Sequence, residues 1–252
     1  MDLTYNSFIL LSAVGFVAGI INTLAGGGSN LTIPALMVLG LPADAANASN
    51  RIAVLLQGIV GVAGFDKHKT LDRPAIIPIL IPSVSGGFLG GLGAALLPNL
   101  YLKPVLLLTI LIMSIVILVM PGIMAPPSGT PTISPKEDRR AWWGLFAAGI
   151  YGGFVQAGVG FILLAALAGN LRYDLVRANA LKMACSLAFT LVSLLVFIAF
   201  GQVRWLPGLV VAIGAMAGTH LAVKWAVRAR PETLKWLLFI MTLIAVASGF
   251  YL

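Results

Sequence analysis

The sequence predicts an all-α polytopic membrane protein made of two inverted repeats, each a glycine-tipped helical hairpin plus three transmembrane helices. Three observations carry this prediction. Of 252 residues, 60% are hydrophobic and only 10% charged, with a mean hydropathy of +1.02. A soluble domain of this length lacks the interior to hide so much apolar side chain. The chain also repeats itself at a spacing of about 130 residues, which marks transporter-like architectures with a site at the repeat interface. Finally, most of the basic residues fall on one side of the membrane only if the two halves are inverted.

The first half opens with an apolar run at 7–25 that meets Ala25-Gly26-Gly27-Gly28-Ser29-Asn30, followed by a short apolar piece at 31–41. That piece spans only about 15–17 Å at 1.5 Å per helical residue, half of a hydrocarbon core near 30 Å. It therefore reads as the returning arm of a hairpin whose tip is the glycine cluster. Longer runs follow at 48–65, 74–97 and 102–121. The second half repeats the order: a run at 141–157, the tip Gln156-Ala157-Gly158-Val159-Gly160-Phe161, a short piece at 160–169, then 178–200, 205–227 and 233–252. Eight of these ten runs are long enough to cross the core, and the two hairpin arms are not. Between the halves, residues 122–140 (GIMAPPSGTPTISPKEDRR) have the Pro, Gly, Ser and Thr content of a solvated linker. The expected units are 1–121, a cytoplasmic linker over 122–140, and 141–252.

Charge discriminates between two topologies. If each hairpin returns to the side it left, and the N-terminus lies outside, 13 of the 16 basic residues are cytoplasmic and only Arg51, Lys103 and Arg204 are outside. If each glycine segment instead completes one crossing with the preceding helix, the halves are parallel. The cytoplasmic set then shrinks to seven: Lys67, Lys69, Arg73, Lys136, Arg139, Arg140 and Arg204. The positive-inside rule favours inversion, with both termini outside. It also accounts for the net charge of +8; the basic residues are scattered between apolar runs rather than along a stripe, which excludes nucleic acid as a partner.

Other chemistry is poorly provided for. The eight carboxylates, Asp2, Asp44, Asp66, Asp72, Glu137, Asp138, Asp174 and Glu232, all fall at expected helix ends or loops, so an acid/base pair or a carboxylate proton relay lacks its parts. His68 and His220 are far apart and show no metal-ligand spacing. The single Cys185 can form no intramolecular disulfide and sits in an apolar run as a small hydrophobe. Met1–Asn6 carries Asp2 and no basic residue, so the first run is expected to stay in the mature chain. No catalytic group, metal or cofactor is expected.

The features left for a site are the tips and two matched cations. Three consecutive glycines break a helix, and broken backbone at membrane depth survives only where it is buried or lines a cavity. Its freed N–H groups at the start of the short helix suit an anion. Gly86, Gly90, Gly87, Gly91, Gly214 and Gly218 form small-xxx-small pairs and read as helix packing. Arg51 and Lys182 hold matching places near the start of the third segment in each half. Each is either an interfacial cation reaching for water or a cavity cation that an anionic substrate neutralises. Polar neighbours are Asn22, Thr23, Ser29, Asn30, Asn47, Ser49 and Asn50 in one half, with Gln156, Asn179 and Ser186 in the other.

At these residues the chain resembles the TauE/SafE family of sulfite exporters and related permeases. The resemblance rests on Gly19–Pro34 (GIINTLAGGGSNLTIP), Ala46–Val54 (ANASNRIAV), Gly152–Phe161 (GGFVQAGVGF) and Ala178–Lys182 (ANALK), and so covers both halves. It implies a multi-pass permease of the bacterial inner membrane for small sulfur-containing or organic anions such as sulfite or sulfonates. The second tip, QAGVGF, departs in having fewer glycines, so the two tips need not contribute equally. The expected substrate site comprises Gly26, Gly27, Gly28, Ser29, Asn30, Asn50, Arg51, Gln156, Gly158, Gly160, Asn179 and Lys182, working by alternating access between the repeats. The partners are a small anion and the lipid bilayer, with room for a homo-oligomer. The competing reading is an integral-membrane enzyme or assembly factor acting on a lipid or cofactor; it would need a nucleophile, metal cluster or acid/base pair at the interface.

Overall fold

The computed structural model describes residues 5–119 and 125–228, all helix and connecting loop with no strand among them. The first half holds α1 (Tyr5–Leu24), α2 (Ser29–Val38), α3 (Ala43–Lys67), α4 (Arg73–Leu96) and α5 (Asn99–Val119). The second holds α6 (Arg139–Phe154), α7 (Val159–Leu164, continued by a π-helical stretch Ala165–Asn170), α8 (Leu175–Ala199) and α9 (Trp205–Arg228). The expected run at 233–252 lies outside the described residues, as do 122–124 of the linker; residues 125–138 form no helix.

Helix starts follow their local chemistry. Asp138 caps α6 by accepting from the Arg140 N–H at 2.8 Å, and Asp174 caps α8 by accepting from Val176 and Arg177, each at 3.1 Å. Pro42, extended at ψ 157°, precedes α3, and Pro74 sits in the first turn of α4, where a missing N–H costs nothing. Two expectations change. α3 and α8 begin at 43 and 175 rather than 48 and 178: α3 opens on Ala, Asp, Asn and Ser with no large apolar group, and α8 opens with Arg177 interrupting Leu175, Val176 and Ala178. Five described helices, α1, α3, α4, α8 and α9, have the length and apolarity to cross a membrane. α6 does not: at 16 residues it rises only about 24 Å, because the chain breaks at the second tip.

Packing is exchanged between the halves. α1 lies on α9 and α6 on α4; α3 packs on α9 and α8 on α4; α3 and α8 meet at the centre. Glycines make the closest of these seams. Gly15 and Gly19 of α1 lie against the carbonyls of Val211 and Ala215, while Gly214 and Gly218 of α9 lie against those of Ser12 and Phe16. The other seam repeats the motif, with Gly149 and Gly153 against Ser83 and Gly87, and Gly86 and Gly90 against Phe146 and Ile150. A Cβ at any of these eight positions would come within 1.9–2.2 Å of the carbonyl oxygen. The packing role expected of the small-xxx-small pairs is what the structure has, and Gly87 and Gly91 seat Phe189 and Ser193 of α8 in the same manner.

The exterior is apolar, with Ile77, Ile213 and Leu195 each more than half exposed. The interior buries many Ala, Gly, Ser, Thr and Asn beside its Leu, Ile and Phe. That distribution fits lipid outside and close helix contact inside. Element ends also meet across the chain. Arg177 at the start of α8 pairs with Asp72 before α4, and the Ile133 N–H donates to Leu171 O at 3.0 Å. Burial and then the charge of Asp72 raise the Tyr173 hydroxyl above its ordinary range, so it remains a donor, to Asp72. At the other end Gln202 donates to Ala95 O at 3.0 Å, the Arg204 N–H to Ser49 Oγ at 2.8 Å, and the Asp44 N–H to Asn99 Oδ1 at 3.0 Å.

Candidate functional site

α1 ends because Gly26 turns into the left-handed region (φ +93°), and its N–H and that of Ala25 both donate to Ile21 O. At the matching point of the second half, Gly158 takes φ +74°. Only glycine enters this region without strain, yet Gln156, two residues before, also takes it at φ +70°. Each short helix then folds back along its partner, α2 on α1 and α7 on α6. The two tips touch backbone to backbone. The Gly160 N–H donates to Gly26 O at 3.2 Å, and a Cβ on either glycine would lie 2.2 Å from the other's Cα.

The tip N–H groups are only partly open to a ligand. Those of Asn30, Leu31 and Thr32 are taken by Gly27 and Gly28 carbonyls, and those of Val159 and Phe161 by Gln156 and Gly158. The N–H groups of Gly27, Gly28 and Ser29 have no acceptor among the described residues, at the start of the ten-residue α2. At the second tip the N–H groups of Ala157 and Gly158 likewise have no acceptor among the described residues, so in both tips only part of the motif is open to a ligand.

Arg51 and Lys182 are both fully buried, at 0% and 1% exposure, so neither is an interfacial cation reaching for water. Their partners are helix ends of the opposite half. Arg51 donates through Nη1 to Gly152 O and Gln156 Oε1, and through Nη2 to Gly153 O at 2.9 Å, Phe154 O at 3.2 Å and Asn47 Oδ1 at 3.3 Å. It thus closes the C-terminus of α6, with the Phe197 ring 5.4 Å from its Cζ. Lys182 Nζ donates to Thr23 O at 2.8 Å, at the C-terminus of α1, and to Asn179 Oδ1 at 2.7 Å. The last carbonyls of a helix lack intrahelical partners and carry partial negative charge, so each cation meets a complementary surface. Among the described residues no carboxylate is buried.

All twelve residues expected in the site are drawn into this region. Asn50 is spent internally, accepting from Thr32 at 2.6 Å and donating to Ser29 Oγ at 3.0 Å, which fastens α3 to α2. The ten polar neighbours named from the sequence are all buried. Thr190, which donates to Gln156 Oε1 at 3.2 Å, was not expected. Its signal is the run Lys182, Ser186, Thr190 and Ser193, spaced by 4, 4 and 3 residues along one face of α8. His220 is exposed on α9 and takes no part.

Several buried polar atoms find no partner among the described residues: both ends of the Asn30 amide, Gln156 Nε2, Asn179 Nδ2, Arg51 Nε, and Gln202 Oε1 outside the site. The amide orientations of Gln156 and Asn179 are fixed, because their oxygens accept from Arg51 and Lys182. Around the tips, unpaired donors outnumber unpaired acceptors.

The family model for the sulfite exporter TauE/SafE matches residues 11–249. The chain belongs to the TauE/SafE family. It is also 27% identical to a "Probable membrane transporter protein" of Haemophilus influenzae, with 100% of this chain and 97% of that one covered. "Probable membrane transporter protein YfcA" of Escherichia coli K12 is 26% identical over 98% and 94% of the two chains. "Probable membrane transporter protein ORF9" of a Sinorhizobium species is 23% identical over 96% and 92%. With the family match and relatives so named, the chain is a membrane transporter and not an enzyme, which sets aside the enzyme reading.

Proposed function

We propose that this TauE/SafE transporter moves a small oxyanion, of the sulfite, sulfonate or related organic class, across the bacterial cytoplasmic membrane by alternating access. The observation that carries this reading is the surplus of buried, unpaired N–H donors around two buried cations with no buried carboxylate beside them. A cluster of that kind suits a ligand made of acceptors and carrying negative charge. The site comprises the two tips together with Asn30, Asn50, Arg51, Gln156, Asn179 and Lys182.

The halves, 1–121 and 141–252 joined by the cytoplasmic linker 122–140, are inverted repeats. The Asp72–Arg177 ion pair supports this. With re-entrant hairpins both residues lie at the cytoplasmic face, whereas the parallel arrangement would set them on opposite faces of a core about 30 Å thick. The exchanged helix contacts support it as well, since α1 with α9 and α6 with α4 become one contact seen twice.

Flux into proteoliposomes tests the function. Labelled sulfite and a small sulfonate should enter saturably, compete with each other and be recovered chemically unchanged. Absence of saturable flux for the whole class would overturn the reading.

A further inference from the structure

We infer that the oxyanion is read by the carboxamide N–H groups of Gln156 and Asn179, while Arg51 and Lys182 act as positioning residues that hold those carboxamides from behind. This assignment rests on the transport reading and divides labour within that site. Gln156 is 1% exposed and Asn179 0%, and in each the side-chain oxygen is engaged by a cation while the nitrogen has no partner among the described residues. Thr190 adds a second donor to the Gln156 oxygen, so its amide is held twice.

The cations themselves are committed elsewhere. Arg51 satisfies the last carbonyls of α6, Gly152 to Phe154, and Lys182 that of Thr23 in α1. Turning either side chain onto a ligand would leave buried carbonyls without donors, which is costly. An amide whose oxygen accepts from a cation is a polarised, stronger N–H donor, so the charge still reaches the anion through one hydrogen bond. Gln156 also pays a conformational penalty to be where it is, since φ +70° is poorly tolerated by any residue with a Cβ. Asn30, with neither end of its amide paired and 0% exposure, supplies a third donor from the first tip.

Isosteric exchange separates a ligand contact from a structural one. Gln156→Glu and Asn179→Asp keep an oxygen on the cation and replace the free N–H2 with a second, negative oxygen. Sulfite binding to the purified full chain, by calorimetry, should weaken about tenfold to a hundredfold in each. The unfolding midpoint should hold or rise, because an amide–cation contact becomes an ion pair. Asn179→Leu, which removes the donor without adding charge, should also lose sulfite and covers the case in which a carboxylate variant does not fold. Unchanged sulfite affinity in the variants, with wild type binding normally, would overturn this assignment and leave the transport reading intact. A wild-type chain that binds neither sulfite nor sulfonate would overturn both.

Discussion

Arg51 and Lys182 occupy equivalent places, but the structure asks different things of them. The guanidinium of Arg51 serves five acceptors from one buried position, whereas the ammonium of Lys182 serves two. A lysine at 51 keeps the charge but cannot span Gly152 to Phe154 and Gln156 together. Arg51→Lys should therefore lower stability by about 1–3 kcal/mol, the cost of stranded buried acceptors, read from thermal or denaturant unfolding in detergent; Lys182→Arg should cost stability through overpacking instead. At the tips, Gly160→Ala places a Cβ 2.2 Å from Gly26 Cα. The expected outcome is a folded protein whose tips no longer meet, with flux in proteoliposomes strongly reduced; normal flux would show that the tip contact is dispensable. The paired cations were legible in the sequence because they recur. Their partners were not, since Arg51 and Gly152 are 101 residues apart and Lys182 and Thr23 are 159 apart, and no local pattern reports which helix end a side chain will close.

Among elements, hydropathy located every described helix and misjudged where several of them begin or end. The openings of α3 and α8 mix small, polar and charged residues that hydropathy passes over, yet Ala43, Ala45, Ala46, Asn47 and Leu175 there are buried. α6 stops at Phe154 because Gln156 and Gly158 take left-handed backbone, a break that one glycine fewer than in the first tip had made less visible. The glycine seams were half legible. Gly86, Gly90, Gly214 and Gly218 stand out in the sequence as spaced pairs, whereas no expectation attaches to the facing Gly15, Gly19, Gly149 and Gly153 of the hairpin helices. These seams carry a prediction. Gly153→Leu must push α6 away from the Gly87 carbonyl, which its Cβ would approach to 2.2 Å. Overpacking of this kind costs about 1–3 kcal/mol, and Gly19→Leu on the equivalent seam should cost a similar amount. Measured separately and together in unfolding experiments, the two should add, because they lie on different helix pairs.

For the whole molecule, charge makes its most direct prediction about topology, and that prediction is open to a simple check. Cys185 is fully buried, so a Cys185→Ala background removes the one native thiol. In it, a cysteine at the exposed Tyr101 should react with an impermeant maleimide added to intact cells. One at the exposed Ser128 should react only after the membrane is permeabilised. The reverse pattern would sink the orientation with Lys- and Arg-rich ends in the cytoplasm.

The exchanged seams also bear on how the protein is made. α1 leaves the ribosome long before α9, yet the surface that Gly15 and Gly19 are shaped to meet belongs to α9, nearly 200 residues later in the chain. At roughly 5–20 residues per second of synthesis, the first hairpin waits on the order of ten to forty seconds for its partner. During that interval its glycine face and broken tip have only lipid, or a helper protein, for company. A truncated first half is thus left permanently in the condition that the full chain passes through, and the membrane quality-control proteases should see it as a substrate.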